Sequence, residues 1–136
     1  MERTITIALL DDHPIILAGM KGKLGRIPGH RVVLAATSGE AFLADLAAHA
    51  EVDIAIVDLQ MPGLDGWAVL ERLRKERPMI KCIAFSFSKE PEWVRRAIAE
   101  GARAYVLKET RLEVWRSVVQ EVMTSGISYS AWVREC

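Results

Sequence analysis

Charged or hydroxyl-bearing side chains directly follow four short apolar runs of the sequence. They are Asp11, Asp12, Asp58, Ser86 and Lys108. Each of them alone is most simply explained as a loop residue or a helix cap. Their recurrence at the ends of four separate runs is hard to ascribe to capping, and it indicates one site where carboxylates, a hydroxyl and an ammonium group meet.

The residue types in this set suit the chemistry of phosphate. Clustered carboxylates repel one another, and a divalent cation such as Mg²⁺, which prefers oxygen ligands, relieves that repulsion. A carboxylate beside the cation can attack a phosphoryl group and form an acyl phosphate. The cation, the Lys108 ammonium and the Ser86 hydroxyl would then neutralise the phosphoryl oxygens. The set therefore suits transfer of a phosphoryl group to one of these aspartates.

The pattern of apolar residues predicts the elements that position this set. Apolar runs predict strands at 5–10, 31–36, 52–58, 80–85 and 103–107, and helical periodicity predicts helices at 15–27, 39–49, 66–76, 92–100 and 110–124. Strands that alternate with helices predict an α/β fold with a parallel sheet, covered by helices on both faces through right-handed crossovers. The carboxyl ends of parallel strands share one edge, where such sheets bind ligands.

Local signals mark several element ends. Ser38 and Asp65 are suitable N-caps for the second and third helices. Pro62-Gly63 predicts a break after the third strand, and Gly101 is a candidate C-cap. Residues 127–136 show no clear element.

Composition limits the function further. The 136 residues suit one domain, and an apolar content of 51% suffices for one core. Lys plus Arg and Asp plus Glu each total 18, which argues against nucleic-acid binding by bulk charge. No apolar run approaches the ~18 residues that span a membrane, and no signal peptide is evident. Cys82 and Cys136 are poor disulfide partners, so we expect a cytoplasmic protein.

Over roughly residues 3–126, the chain resembles the receiver domain of bacterial two-component response regulators. The matching motifs are Asp-Asp-His-Pro at 11–14, Asp-Leu-Gln-Met-Pro-Gly-Leu-Asp-Gly at 58–66, Ser86, and Gly-Ala-Arg-Ala-Tyr-Val-Leu-Lys at 101–108. The resemblance implies a doubly wound, CheY-like sheet of five strands in the order 2-1-3-4-5 with five helices. Residues 1–126 would be the receiver domain, and 127–136 a tail or the start of an interdomain linker.

The resemblance also implies roles around the phosphoacceptor. A sensor histidine kinase would phosphorylate Asp58. Asp12, Asp58 and the backbone carbonyl of Gln60 would bind Mg²⁺, with Asp11 assisting through water. Lys108 would be the site's cation.

A second set of roles concerns the response to phosphorylation. Ser86 would be the switch hydroxyl, and Tyr105 the aromatic residue that changes rotamer when Ser86 moves. The change would reach the face of the fourth helix, fifth strand and fifth helix. The mixed charges of that face suit a homodimer or partner surface, although an ordinary solvated face explains them equally well. They are Glu92, Arg95, Arg96, Arg111, Glu113 and Arg116.

Two details resemble the NarL/LuxR group: Asp-Asp-His-Pro at 11–14, and Glu109 rather than Pro after Lys108. Members of that group usually carry a C-terminal helix-turn-helix domain that binds DNA. About ten residues follow the last predicted helix here, so we expect no direct DNA binding by this chain. We favour a receiver fragment of a longer transcription regulator over a stand-alone receiver.

Other functions are less well supported. Magnesium-dependent phosphohydrolases with an aspartyl-phosphate intermediate typically carry a second Asp two residues after the nucleophile, where this chain has Gln60. We therefore expect no enzyme beyond self-phosphorylation and dephosphorylation. An interaction module independent of phosphorylation is disfavoured because the whole polar set is intact. Phe87 is bulky where many receivers have a small residue, and we expect Phe87 and Gln60 to tune the lifetime of the phosphoryl group.

Overall fold

The computed structural model describes residues 3–49, 51–61, 63 and 65–136. Strands and helices alternate through these ranges. In chain order they are β1 (Ile5–Leu10), α1 (Pro14–Gly25), β2 (His30–Ala36), α2 (Gly39–Ala47), β3 (Ile54–Asp58), α3 (Gly66–Glu76), β4 (Lys81–Ser86), α4 (Pro91–Ala99), β5 (Ala104–Leu107), α5 (Leu112–Ser125) and α6 (Ala131–Arg134). Among the described residues, no helix is both long and apolar enough to cross a membrane.

The strands form one parallel sheet in the order β2-β1-β3-β4-β5. This confirms the predicted fold class and the strand order implied by the resemblance. β3 lies between β1 and β4, and all of its residues are buried. Burial on both faces explains why the β3 sequence is an unbroken apolar run rather than an alternating one.

Different helices cover the two faces of the sheet, because successive strand residues point to opposite sides. Leu10 packs with Phe42 on the side of α2, α3 and α4. Leu9 packs with Trp115 on the side of α1 and α5. The fully buried Trp115 meets Phe85 of β4 edge to face, with the ring centroids 5.5 Å apart. The site at the end of the sheet therefore rests on two packed cores.

Helix ends follow the predicted signals. The side chains of Ser38 and Asp65 each accept a backbone N–H group three residues later, at 3.1 and 3.0 Å. Gly101 follows α4 with a φ of +97°, which suits glycine at the end of a helix. Pro62, part of the predicted break after β3, lies outside the described residues.

Residues 127–136, here called the C-terminal segment, differ from the sequence prediction. Ser128 forms a parallel bridge to Ala104 of β5, and α6 follows it. Val133 of α6 is buried. The prediction of no regular element was wrong, because a helix of four residues is too short to show a periodic pattern and its docking depends on the rest of the fold.

Candidate functional site

Strand register brings the predicted polar set to one edge of the sheet. Asp58 is the last residue of β3 and pairs with Phe85, so Ser86 lies one residue further along the neighbouring strand. Asp11 follows β1 directly. Lys108 follows β5, and its N–H donates to the Ser86 carbonyl at 3.0 Å. The tips of four strands thus meet in one place.

Lys108 bridges two buried carboxylates. Its Nζ lies 2.9 Å from Asp11 Oδ2 and 3.0 Å from Asp58 Oδ2. The three side chains are between 0% and 3% exposed. Charges withdrawn from water in this way are tolerated only when they are paired. The bridge therefore holds the ammonium group directly against the proposed phosphoacceptor.

The Asp58 carboxylate is only partly satisfied. Its Oδ1 accepts the Gln60 N–H at 3.0 Å. Its Oδ2 lies at ion-pair distance from Lys108, but off the direction of a hydrogen bond, and has no hydrogen-bond partner among the described residues. Burial raises the pKa of Asp58 to about 6, although the Gln60 N–H and the Lys108 ammonium both lower it. The folded protein thus keeps a carboxylate whose charge is costly.

His13 joins the acidic residues. Its Nδ1 lies 3.0 Å from Asp11 Oδ1 and 3.1 Å from Asp12 Oδ1. Ligand atoms of Asp11, Asp12, His13 and Asp58 all lie within 4.8 Å of one another. His13 was not among the predicted site residues, and its position directly after Asp12 was the only signal in the sequence.

This cluster can accommodate a metal ion. Asp11 Oδ2, Asp12 Oδ1 and Asp58 Oδ2 are buried atoms without a hydrogen-bond partner in the described part of the chain. The Lys108 ammonium offsets the charge of Asp11 and Asp58 by ion pairing, but the lone pairs of the three oxygen atoms are not used in hydrogen bonds with the described residues and can bind a cation. The residues present therefore fit a divalent cation. The predicted role of the Gln60 carbonyl stays a prediction, since the contact observed at Gln60 is made by its N–H.

Ser86 and Tyr105 are linked through the loop after β4. Ser86 is fully buried, and its Oγ accepts the Ser88 N–H at 3.0 Å. The Tyr105 hydroxyl donates to the Ser88 carbonyl at 2.7 Å. Burial raises the pKa of the Tyr105 hydroxyl. A movement of Ser86 would therefore reach Tyr105 through one intervening residue.

Two phenyl rings enclose the Lys108 ammonium. Its Nζ lies 5.3 Å from the ring centroid of Phe85 and 5.2 Å from that of Phe87. Both distances suit a cation–π interaction. Phe87, which the sequence placed beside the site, is 53% exposed and so forms its outer cover. The contribution of Phe85 was missed, because a buried strand residue carries no sequence signal for it.

Gly66 ends the sequence motif at 58–66, and the structure gives it a specific steric role beside Asp58. A Cβ at this position would lie 1.8 Å from the Asp58 carbonyl oxygen. Only glycine allows α3 to begin this close to the end of β3. Asp65 thus caps α3, and Gly66 allows the helix to begin next to Asp58.

Comparison with known sequences agrees with this geometry. Residues 7–120 match the response regulator receiver domain family. The nitrate/nitrite response regulator protein NarL of Escherichia coli K12 is 36% identical over 112 residues, covering 82% of this chain and 51% of NarL. The response regulator GacA of Pseudomonas aeruginosa is 30% identical over 118 residues, covering 87% and 55%. The chain thus spans about half the length of these curated relatives.

Solved structures share the fold. The isolated receiver domain of RcsB from Salmonella enterica, determined with the phosphomimetic BeF₃⁻, gives a TM-score of 0.87 at 20% identity and covers 98% of both chains. A LuxR-family response regulator from Aurantimonas gives a TM-score of 0.83 at 25% identity, covering 94% and 90%. The chain belongs to the receiver domains of two-component response regulators, and within them to the NarL/LuxR group.

Proposed function

We propose that Asp58 is the phosphoacceptor and that its phosphorylation switches the domain to control an output. The observation that carries this proposal is the buried Asp58 carboxylate, which lies against Lys108 with Oδ2 lacking a hydrogen bond. A phosphohistidine of a sensor kinase is the proposed donor. The free cysteines Cys82 and Cys136 suit a reducing compartment, and we place the reaction in the cytoplasm.

The proposed step exchanges one bond to phosphorus for another. An Asp58 carboxylate oxygen forms a P–O bond while the P–N bond to the donor histidine breaks. The imidazole leaves with the bonding electron pair and takes up a proton. Lys108 already faces the Asp58 carboxylate and would stabilise the charged phosphoryl oxygens. The Ser86 hydroxyl would donate to another of these oxygens.

We propose Mg²⁺ as the cation of this site. Asp12, Asp58 and the Gln60 carbonyl would hold it, with Asp11 acting through water. This oxygen-rich set matches the ligand preference of Mg²⁺. When bound, the ion would neutralise charge on the phosphoryl oxygens.

The output is proposed to be transcription, because the curated relatives include proteins named as response regulators and transcriptional regulatory proteins. The DNA-binding part would lie in a longer protein; a stand-alone receiver is the alternative. Homodimerisation is a further proposal, since RcsB forms dimers on DNA. The charged residues predicted for this purpose lie on α4, on α5 and at the N-cap of α5. All of them are exposed, and they are Glu92, Arg95, Arg96, Arg111, Glu113 and Arg116.

Incubation with Mg²⁺ and a small acyl-phosphate donor, followed by intact mass spectrometry, tests the proposal. We expect one phosphoryl adduct in the wild-type protein and none in Asp58→Asn. Asp45→Asn, which changes an aspartate on α2 outside the cluster, is the matched control and should form the adduct. Absence of an adduct with both the small donor and candidate kinases would instead favour an interaction module that works without phosphorylation.

Phe87 and Gln60 are proposed to tune the phosphoryl lifetime. Phe87 covers the Lys108 ammonium at the outer side of the site, and the Gln60 side chain is exposed beside Asp58. Removal of the phenyl ring in Phe87→Ala should admit water and hasten hydrolysis of the aspartyl phosphate. Decay of the adduct measured by mass against time would show this, and an unchanged rate would refute the role of Phe87.

A further inference from the structure

The C-terminal segment is docked on the domain instead of trailing from it. The Ser128 N–H donates to the Arg103 carbonyl at 2.8 Å, so the segment continues the sheet beyond β5. The Tyr129 hydroxyl donates to the Ala102 carbonyl at 3.0 Å. Together these bonds fix the segment to the residues that lead into β5, the strand that carries Tyr105.

Further contacts hold α6 next to α4. Arg95 of α4 donates to the carbonyl of Cys136 at 3.2 Å. Val133 is 3% exposed and belongs to the core on the α4 side of the sheet. The segment is therefore anchored along its whole length over the edge formed by β5 and α4.

Tyr105, the proposed switch residue, is one of the contacts that hold the segment in place. Trp132 meets Tyr105 edge to face, with ring centroids 5.9 Å apart and planes at 83°. The other end of Tyr105 is its hydroxyl, which is bonded to the Ser88 carbonyl, and the Ser88 N–H is bonded to Ser86 Oγ. A continuous series of contacts thus joins the site hydroxyl to the C-terminal segment.

We propose that the C-terminal segment is a latch that phosphorylation of Asp58 releases. This inference rests on the proposed function. A phosphoryl group on Asp58 draws Ser86 Oγ toward it, and Ser88 must follow or lose its bond to Ser86. If Ser88 follows, its carbonyl, which holds the Tyr105 hydroxyl, shifts with it; if the bond breaks, the loop that carries this carbonyl loses its attachment to Ser86. Tyr105 then leaves the ring of Trp132, and the segment loses its aromatic anchor.

The docked segment covers a surface that a partner could otherwise bind. While the latch is closed, α6 covers the β5–α4 edge, and Tyr105 is only 3% exposed. A partner that recognises this edge must either displace the segment or bind after phosphorylation has released it. The docked segment therefore acts as an internal competitor for that surface.

Hydrogen exchange measured by mass spectrometry on the full chain tests the latch. With Mg²⁺ and the acyl-phosphate donor, we expect amide exchange in residues 127–136 to become about fivefold faster, the lower end of common coupling strengths. The intact mass of the same sample reports phosphorylation. Unchanged or slower exchange in phosphorylated protein overturns the latch alone. A protein that forms no adduct with either this donor or candidate kinases overturns the proposed function and the latch with it.

Substitution of Trp132 provides a reciprocal test. If phosphorylation opens the latch, an opened latch must favour the phosphorylated state equally. We expect Trp132→Ala to bind the phosphate mimic BeF₃⁻ about fivefold more tightly in the presence of Mg²⁺. Ile127→Ala, which alters a 45% exposed residue of the same segment, should bind it as the wild type does. Equal binding by Trp132→Ala and wild type contradicts the latch.

Tyr105→Phe separates coupling from simple packing. This variant keeps a ring beside Trp132 but loses the hydroxyl that binds the Ser88 carbonyl. We expect Asp58 of this variant to be phosphorylated. Amide exchange in residues 127–136 should then not become faster on phosphorylation. Acceleration equal to that of the wild type would show that Tyr105 does not transmit the signal.

Discussion

An aspartate stands near each end of β3, and the two carboxylates have opposite environments. Asp53, directly before the strand, accepts the Thr6 N–H at 2.9 Å and the Thr6 hydroxyl at 3.1 Å, and it pairs with Arg3. Asp58, at the other end, has a single backbone donor on one oxygen and an off-axis ion pair on the other. One carboxylate is saturated by local partners, whereas the other keeps bonding capacity.

This contrast separates an aspartate that stabilises the fold from the proposed phosphoacceptor. Asp53 retains 17% exposure of its side chain, so water also supports its charge. Asp58 is fully buried, and burial raises its pKa to about 6. The fold therefore gains stability from Asp53 and loses some by keeping Asp58 ionised. Such a loss is expected where a residue is retained for its chemistry.

The largest expected effect concerns the backbone behind Asp58. Gly66→Ala would place a Cβ 1.8 Å from the Asp58 carbonyl oxygen, so β3 and α3 must move apart. We expect a loss of about 3 kcal/mol in the free energy of unfolding, as for a severe overpacking change. Gly19→Ala is the matched control, since its Cβ meets no atom within 4 Å. In urea denaturation that control should gain about 0.5–1 kcal/mol, and equal effects of both variants would refute the close approach.

Charge removal at Asp58 should stabilise the protein. Its pKa of about 6 in the folded state exceeds the ordinary value of 3.8, so between these values the folded protein binds more protons than the unfolded chain. The contribution of Asp58 to stability therefore falls as pH rises through this window and is unfavourable at pH 7. We expect the free energy of unfolding of Asp58→Asn to be about 2 kcal/mol higher than that of the wild type at pH 7 without divalent ions.

The same variant measured near pH 4 is the internal control, because the wild-type carboxyl is then largely protonated in the folded state. The stability difference between Asp58→Asn and the wild type should be much smaller at this pH. A constant gain at both pH values would mean that ionisation of Asp58 is not its source.

Substitution of Asp53, at the other end of β3, should lower the stability of the protein. Asp53→Ala leaves the Thr6 N–H without its acceptor, and we expect a loss of about 1–2 kcal/mol in stability. Phosphorylation by the acyl-phosphate donor should still occur. Urea denaturation and intact mass on the same sample would report both quantities, and loss of phosphorylation in the folded variant would erase the contrast between the two ends.

The smallest expected effect is stabilisation by the metal. Mg²⁺ at about five times its dissociation constant should add about 1 kcal/mol to the stability of the wild type. Asp53→Ala should gain as much, because Asp53 lies outside the acidic cluster. Asp58→Asn should gain little, since a ligand has lost its charge. Thermal unfolding with and without Mg²⁺ would distinguish these cases, and an equal gain in all three proteins would locate the ion elsewhere.

Much of this site could be predicted because it depends on topology. Once parallel strands are recognised, the residues that follow them must meet at one edge, which brings Asp11, Asp58 and Lys108 together. The caps Ser38 and Asp65 could be predicted equally well, because capping is a local interaction between neighbours in sequence.

The features that escaped prediction depend on tertiary geometry. The contact of His13 with two carboxylates depends on a side-chain rotamer, and the position of Phe85 beside the Lys108 ammonium depends on how two strands align. Gly66 belongs to a motif visible in the sequence, but the steric reason for it, the start of α3 against β3, depends on tertiary geometry. The docking of Trp132 on Tyr105 joins residues far apart in sequence. None of these contacts leaves a periodic pattern.

Chemical mapping of the phosphorylated residue tests the central claim most directly. Borohydride reduces an aspartyl phosphate to homoserine, which marks the modified position in a peptide map. After treatment with Mg²⁺ and the acyl-phosphate donor, we expect homoserine at position 58 and unmodified aspartate at 11, 12 and 53. Homoserine at any of those three positions, with intact aspartate at 58, would contradict the assignment of Asp58 as the phosphoacceptor.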